Sequence, residues 1–118
     1  MAASESQEQV ALMDWLRLQY PDVAKHTIYI INEQKCSLNK GKKLNALGRL
    51  AGASDLFIAK PNNLHAGLFL EMKSLTGKCT KKQIEFLERM NKAGYLALKA
   101  NGADEAINIV KNYLTDKL

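Results

Sequence analysis

The sequence predicts a small α/β domain. Two capping boxes each open a helix-favouring run, and four short apolar or β-branched runs are bounded by turn residues. The two kinds of element follow one another in the order α-β-(basic excursion)-β-β-α-β-α. At 118 residues the chain is expected to make one domain over 1–118, large enough for a real core but not for two.

The first helix is expected from about Glu5 to Gln19. Ser4 and Gln7 form its capping box, Pro21 ends it, and Val10, Leu12, Met13, Trp15 and Leu16 give it a broad apolar surface. Thr27 to Ile31 (TIYII) reads as a short buried strand. Residues 33–53 are punctuated by Gly41, Gly48 and Gly52 and are expected to form a long functional excursion, helical in part, outside the core. Asp55 to Lys60 and Gly67 to Lys73 flank PNNLHA, which predicts a hairpin with a loose loop. Thr80 and Gln83 open a second helix to about Ala93, which Gly94 stops. Tyr95 to Lys99 forms a further strand. A last helix, about Ala103 to Leu114, is expected to bury Ala106, Ile109, Val110 and Tyr113.

Composition limits the function classes. No apolar run approaches the roughly 20 residues of a membrane helix, and the polar, acidic start MAASESQEQV is not that of a signal peptide. Cys36 and Cys79 stand far apart, with only His26 and His65 beside them, so a structural zinc site is not expected and a reduced cytosolic setting is. The net charge is +5, and its distribution is more telling. Lys35, Lys40, Lys42, Lys43 and Arg49 lie in one stretch that holds no acid. Such a local excess suits a polyanion, phosphate above all; the ordinary alternative is a solvated basic loop.

In GLFLEMK, alternate side chains share a face. Leu68, Leu70 and Met72 are expected to point into a core, and Glu71 and Lys73 to point together to the other side. A solvated ion pair on an edge strand would explain the two charges. Asp55 weighs against that explanation, because pairing of the two strands as a hairpin would bring it near Glu71. Two carboxylates without His or Cys make a hard oxygen site suited to Mg²⁺ or Mn²⁺, and the pair would repel without a cation. A lysine in the same space fits phosphodiester hydrolysis, where it orients or deprotonates a metal-activated water. Gln83 has two readings, as the closing residue of the Thr80 box or as a side chain reaching the site. Glu5 and Glu8 are both candidates for a helix carboxylate at the site, and helical periodicity does not separate them. Both also suit an exposed first turn.

GASDLF, GLFLEMKS and TKKQIEFLERMNKAGY, in that order, resemble the VRR-NUC branch of the PD-(D/E)xK nucleases. The likeness extends to ESQEQVALMDWLRLQYP and ANGADEAINIVKNYL, and is greatest to stand-alone, phage-type members. It implies a restriction-endonuclease-like core, with a mixed sheet of about four strands and flanking helices. It further implies that Asp55, Glu71 and the backbone carbonyl of Met72 are metal ligands, that Lys73 is the catalytic lysine, and that Gln83 belongs to the site. Relatives of this type open with a Glu four residues before a Gln. Glu5 with Gln9 fits, so Glu5 is preferred to Glu8 as a further metal ligand. Ser54 stands where the motif has Pro, and Asn32 alone remains of an Asn-Gly-Gly pattern after the first strand.

The expected activity is a Mg²⁺- or Mn²⁺-dependent DNA endonuclease leaving 5′-phosphate ends. By resemblance it would be a homodimer acting on branched DNA such as Holliday junctions, cytoplasmic and either of the bacterial host or phage-encoded. Lys42, Lys43 and Arg49, with Lys35 and Lys40, would hold the DNA backbone. One alternative is a non-catalytic nucleic-acid-binding subunit of the same fold. Another is a small α/β domain whose charged strand is ordinary surface, which predicts no metal binding.

Overall fold

The computed structural model describes residues 2–31 and 37–118. Helix α1 (Glu5–Gln19) begins at a complete capping box: Ser4 Oγ accepts from the Gln7 N–H, and Gln7 Oε1 accepts from the Ser4 N–H at 2.8 Å. Pro21 ends α1 and also starts something, since it occupies the first turn of a short helix α2 (Pro21–Ala24). Strands β1 (Thr27–Tyr29), β2 (Leu56–Ile58), β3 (Leu68–Lys73) and β4 (Leu96–Asn101) form one sheet in that order. The β1–β2 and β2–β3 pairs are antiparallel and β3–β4 is parallel, so the sheet is mixed, as expected. Helices α3 (Leu38–Ala46), α4 (Lys81–Lys92) and α5 (Ala103–Leu114) complete the order. Among the described residues no helix is long and apolar enough to cross a membrane.

Alternation along β3 divides the two faces of the sheet. Leu68, Leu70 and Met72 are buried with Leu56, Ile58, Leu12, Leu16, Val110 and Tyr113, so α1 and α5 cover that face. On the opposite face Phe69 stacks on Phe57 at 4.3 Å and meets Phe86 of α4 and Tyr95 edge-on. Glu71 and Lys73 continue this second face.

Several expectations need correction. The strand expected at 27–31 is three residues long and lies at the sheet edge, where Ile28 and Tyr29 are exposed; β-branching marks strand conformation, not burial. Val10 is exposed rather than part of the packed stripe of α1. β4 runs on to Asn101, two residues past the expected end, because it pairs along the whole of β3. The loop after β2 is not loose. Asn62 Nδ2 donates to the Tyr113 and Leu118 carbonyls, Asn62 Oδ1 accepts from the Leu64 and His65 N–H groups, and the Tyr113 hydroxyl donates to the Lys60 carbonyl. The basic excursion contains α3, capped by Ser37 and without a buried residue, in keeping with a segment outside the core. Asn32, Lys35 and Cys36 lie outside the described residues.

Candidate active site

The β2–β3 ladder ends at the Leu56–Leu70 pair, and the next positions in that register set Asp55 opposite Glu71. Asp55 is held from both sides. Its carbonyl accepts from the Ile30 N–H at 2.7 Å, just beyond β1, and its Oδ2 accepts from the Met72 N–H at 2.8 Å. In a strand the N–H and C=O of one residue point to the same neighbour. The Met72 carbonyl is therefore directed to the side on which its N–H meets Asp55, where the β2 ladder has stopped. Gly52 explains the approach of this segment to α4. Its φ is +86°, and a Cβ there would stand 2.5 Å from the Lys82 carbonyl oxygen. The turn that delivers Asp55 therefore packs directly on the backbone of the first turn of α4.

Glu71 and Lys73 are 2 % and 6 % exposed, on a strand flanked by β2 and β4. A solvated ion pair on an edge strand is thereby excluded. Burial pushes the Glu71 carboxyl up to about 9. The hydrogen bond with Asp55 and the Asp55 charge push it the same way, as does the Glu5 charge to a smaller extent, while Lys73 opposes them. In the absence of a cation the pair thus keeps a proton on Glu71 at neutral pH. Glu71 Oε1 and Ser54 Oγ are buried without a hydrogen-bond partner among the described residues.

Lys73 Nζ lies 3.9 Å from Glu5 Oε1, with the Glu5 side chain 52 % exposed. Glu8, the other candidate, is engaged at the start of α5. Its carboxylate accepts a long hydrogen bond, 3.4 Å, from the Ala103 N–H at the start of α5, where the N-cap residue Gly102 has no side chain to offer. The tertiary fold thus separates two acids that periodicity could not. Gln83 is buried, and its Oε1 closes the Thr80 capping box at 2.8 Å, so the capping reading is realised in full. Lys40 and Arg49 line an open groove of about 470 Å³ with Ile30 and Ile31, next to the backbone that holds Asp55. Lys42 and Lys43 belong to the same exposed helix.

Two residues that sequence reasoning did not single out, Lys99 and Asn101, share this neighbourhood with Cys79. Lys99 is paired with Glu71, and Asn101 with Lys73, across the parallel β3–β4 ladder. Cys79 has its thiol pushed up by burial, with Lys73, Glu71, Lys99 and Glu5 all acting on its charge. The signal for Lys99 and Asn101 was their alternation with apolar neighbours, but only the β3–β4 register aligns them with the acid and lysine of β3.

The donor set fits a small hard cation. It comprises two carboxylates, one with an oxygen lacking any partner, and an adjacent main-chain carbonyl. Its donors are all oxygens, the hard set suited to Mg²⁺ or Mn²⁺.

The fold is a mixed α/β sheet whose central strand ends in the buried Glu71 and Lys73, with the half-buried Asp55 opposite Glu71. The chain belongs to the VRR-NUC family: the model of the VRR-NUC domain matches residues 3–104. A solved structure described as a VRR_NUC domain protein superimposes with a TM-score of 0.86 at 24 % identity, covering 98 % of this chain and 91 % of that one. Among curated proteins nothing matches significantly. VRR-NUC is a nuclease domain family, which points to DNA as the substrate class.

Proposed function

We propose that the protein is a Mg²⁺- or Mn²⁺-dependent DNA endonuclease whose reaction centre is Asp55, Glu71, the Met72 carbonyl and Lys73. One observation carries the reading: Glu71 is buried opposite Asp55, with Lys73 beside it on the same face of β3. When bound, such an ion neutralises charge on the phosphate and lowers the pKa of a water. Asp55 and Glu71 would hold it as ionised carboxylates, with the Met72 carbonyl as a third oxygen. The Lys73 side chain, on the same face as Glu71, would orient the attacking water as the ammonium or take its proton as the neutral amine. Glu5 would balance Lys73 and reach the water shell of the ion, and Gln83 would fix the start of α4 beside the Asp55 turn.

Lys40, Lys42, Lys43, Arg49 and Lys35 would hold the DNA backbone. The family resemblance favours branched DNA and a homodimer. Among the described residues β1 is an outer strand of the sheet, with Ile28 and Tyr29 exposed, which supports a second copy there, and a two-fold pair of sites would cut two strands symmetrically.

The test is incubation of the purified protein with linear, flapped and four-way DNA, with and without Mg²⁺ or Mn²⁺. Metal-dependent cutting that Asp55→Ala and Lys73→Ala abolish is expected. Cutting by either variant at the parental rate would refute the assignment. Binding of DNA without cutting in any metal would indicate a non-catalytic subunit.

A further inference from the structure

Beyond the carboxylates and Lys73, the second face of the sheet carries one more cation at the same level. Lys99 is the register partner of Glu71 in the parallel β3–β4 ladder, and adjacent strands lie about 4.8 Å apart. The two side chains leave the sheet on one face as neighbours, yet Glu71 is buried and Lys99 is exposed. The ammonium of Lys99 is not left to wander, since it donates a hydrogen bond to Asn101 Oδ1. Asn101 is itself anchored. Its Nδ2 donates to the Ser74 and Gly77 carbonyls at 2.8 Å each, and its N–H donates to Glu105.

The amide of Asn101 therefore joins the loop that follows Lys73 to the lysine of the neighbouring strand. Between that loop and α4 runs an open groove of about 580 Å³, lined by Gly77, Lys78, Cys79, Ile84, Leu87 and Lys99. Its walls are apolar and its charged lining residues are both lysines. An apolar trough with cationic edges suits a nucleotide, with sugar and base against Ile84 and Leu87 and phosphate at the lysines.

Resting on the nuclease reading above, we infer that this groove seats the nucleotide adjoining the cut. Lys99 is the phosphate contact there, and Asn101 is the positioning residue that aims it. Lys99 does no bond-breaking in this arrangement. It registers the strand so that the bond to be cut lies over Asp55 and Glu71.

Two measurements test the inference. In EDTA, the salt dependence of DNA binding is compared for the parent, Lys99→Met, Lys99→Arg and Lys25→Met, the last a control at the exposed end of α2. Loss of one phosphate contact should reduce the slope of log K against log salt by about 0.9 for duplex DNA. It should also weaken binding about 10-fold, as for one charge-assisted hydrogen bond. Lys99→Arg and Lys25→Met should keep the parental slope. In Mn²⁺, Lys99→Met should raise KM about 10-fold and leave kcat within about 3-fold, whereas Asn101→Ala should shift KM in the same direction by less.

A parental slope and KM for Lys99→Met overturn the inference. So does a lowered melting temperature with an unchanged slope, which would make the Lys99–Asn101 hydrogen bond a fold element only. If the parent cuts no DNA in any metal, the nuclease reading fails, while the slope measured in EDTA still decides whether Lys99 touches the backbone.

Discussion

Replacing Glu71 by Gln should stabilise the metal-free protein at alkaline pH and abolish its response to divalent cations. In the unfolded chain Glu71 ionises near 4.5, whereas in the fold it holds its proton up to about 9. Between those values the native state binds the extra proton, so stability falls as pH rises through that window. At about 1.36 kcal/mol per pH unit, the loss from pH 4.5 to pH 8 has a ceiling of about 5 kcal/mol. Asp55 is half-buried, so water on its side screens part of the repulsion, and a loss of about 2–3 kcal/mol is the working figure.

A glutamine keeps the shape, carries no charge and donates to the Asp55 carboxylate as the protonated acid does. Urea denaturation in EDTA at pH 5 and pH 8 measures the effect. The parent should lose stability between the two, and Glu71→Gln should lose less by about 2–3 kcal/mol. Mn²⁺ added at pH 8 should restore the parent by mass action and leave Glu71→Gln where it was. Equal pH dependence in the two proteins would refute the reasoning, as would a Glu71→Gln variant less stable than the parent at pH 8. Either result would mean that burial and Asp55 do not hold that proton.

Three further outcomes follow from the geometry. Lys73→Met should lower kcat about 10²–10⁴-fold, the range for loss of a positioned proton-transfer group, with DNA affinity in EDTA nearly unchanged; a KM effect alone would remove Lys73 from the chemistry. Gly52→Ala forces a Cβ to within 2.5 Å of the Lys82 carbonyl at φ +86°, and should cost about 2–4 kcal/mol by denaturation together with most of the metal response, because Asp55 follows three residues later. Asn62→Ala removes two donated and two accepted hydrogen bonds tying the β2–β3 loop to itself, Tyr113 and Leu118, and should cost about 1–3 kcal/mol. Amide exchange in that loop should rise with it, while metal binding should not change.

The regular elements were legible in the chain where local chemistry decides them. Ser4 with Gln7 and Thr80 with Gln83 mark two helix starts, because a cap is a contact between residues three apart. Gly94, at φ +101°, marks the stop after α4 because few other residues tolerate that conformation. The alternation in GLFLEMK separates Leu70 and Met72 from Glu71 and Lys73, as β3 does. Where partners are distant in sequence, local signals were insufficient. Asn62 reads as loose turn chemistry, yet it bonds residues more than fifty positions away.

By itself, then, the sequence determined the α/β class and the order of the strands and longer helices, though not the short α2, and it pointed to Asp55, Glu71 and Lys73 as candidates. The elements follow from periodicity and caps, and the candidate set from the order of residue types and the family resemblance. Only the tertiary structure decided that Glu71 and Lys73 are buried on a central strand, that Glu5 meets Lys73 while Glu8 turns to α5, and that Lys99 stands beside Glu71. Burial depends on which elements cover a face, and neighbourhood across a sheet depends on strand order and register. Neither is a property of the residues within a few positions of Glu71.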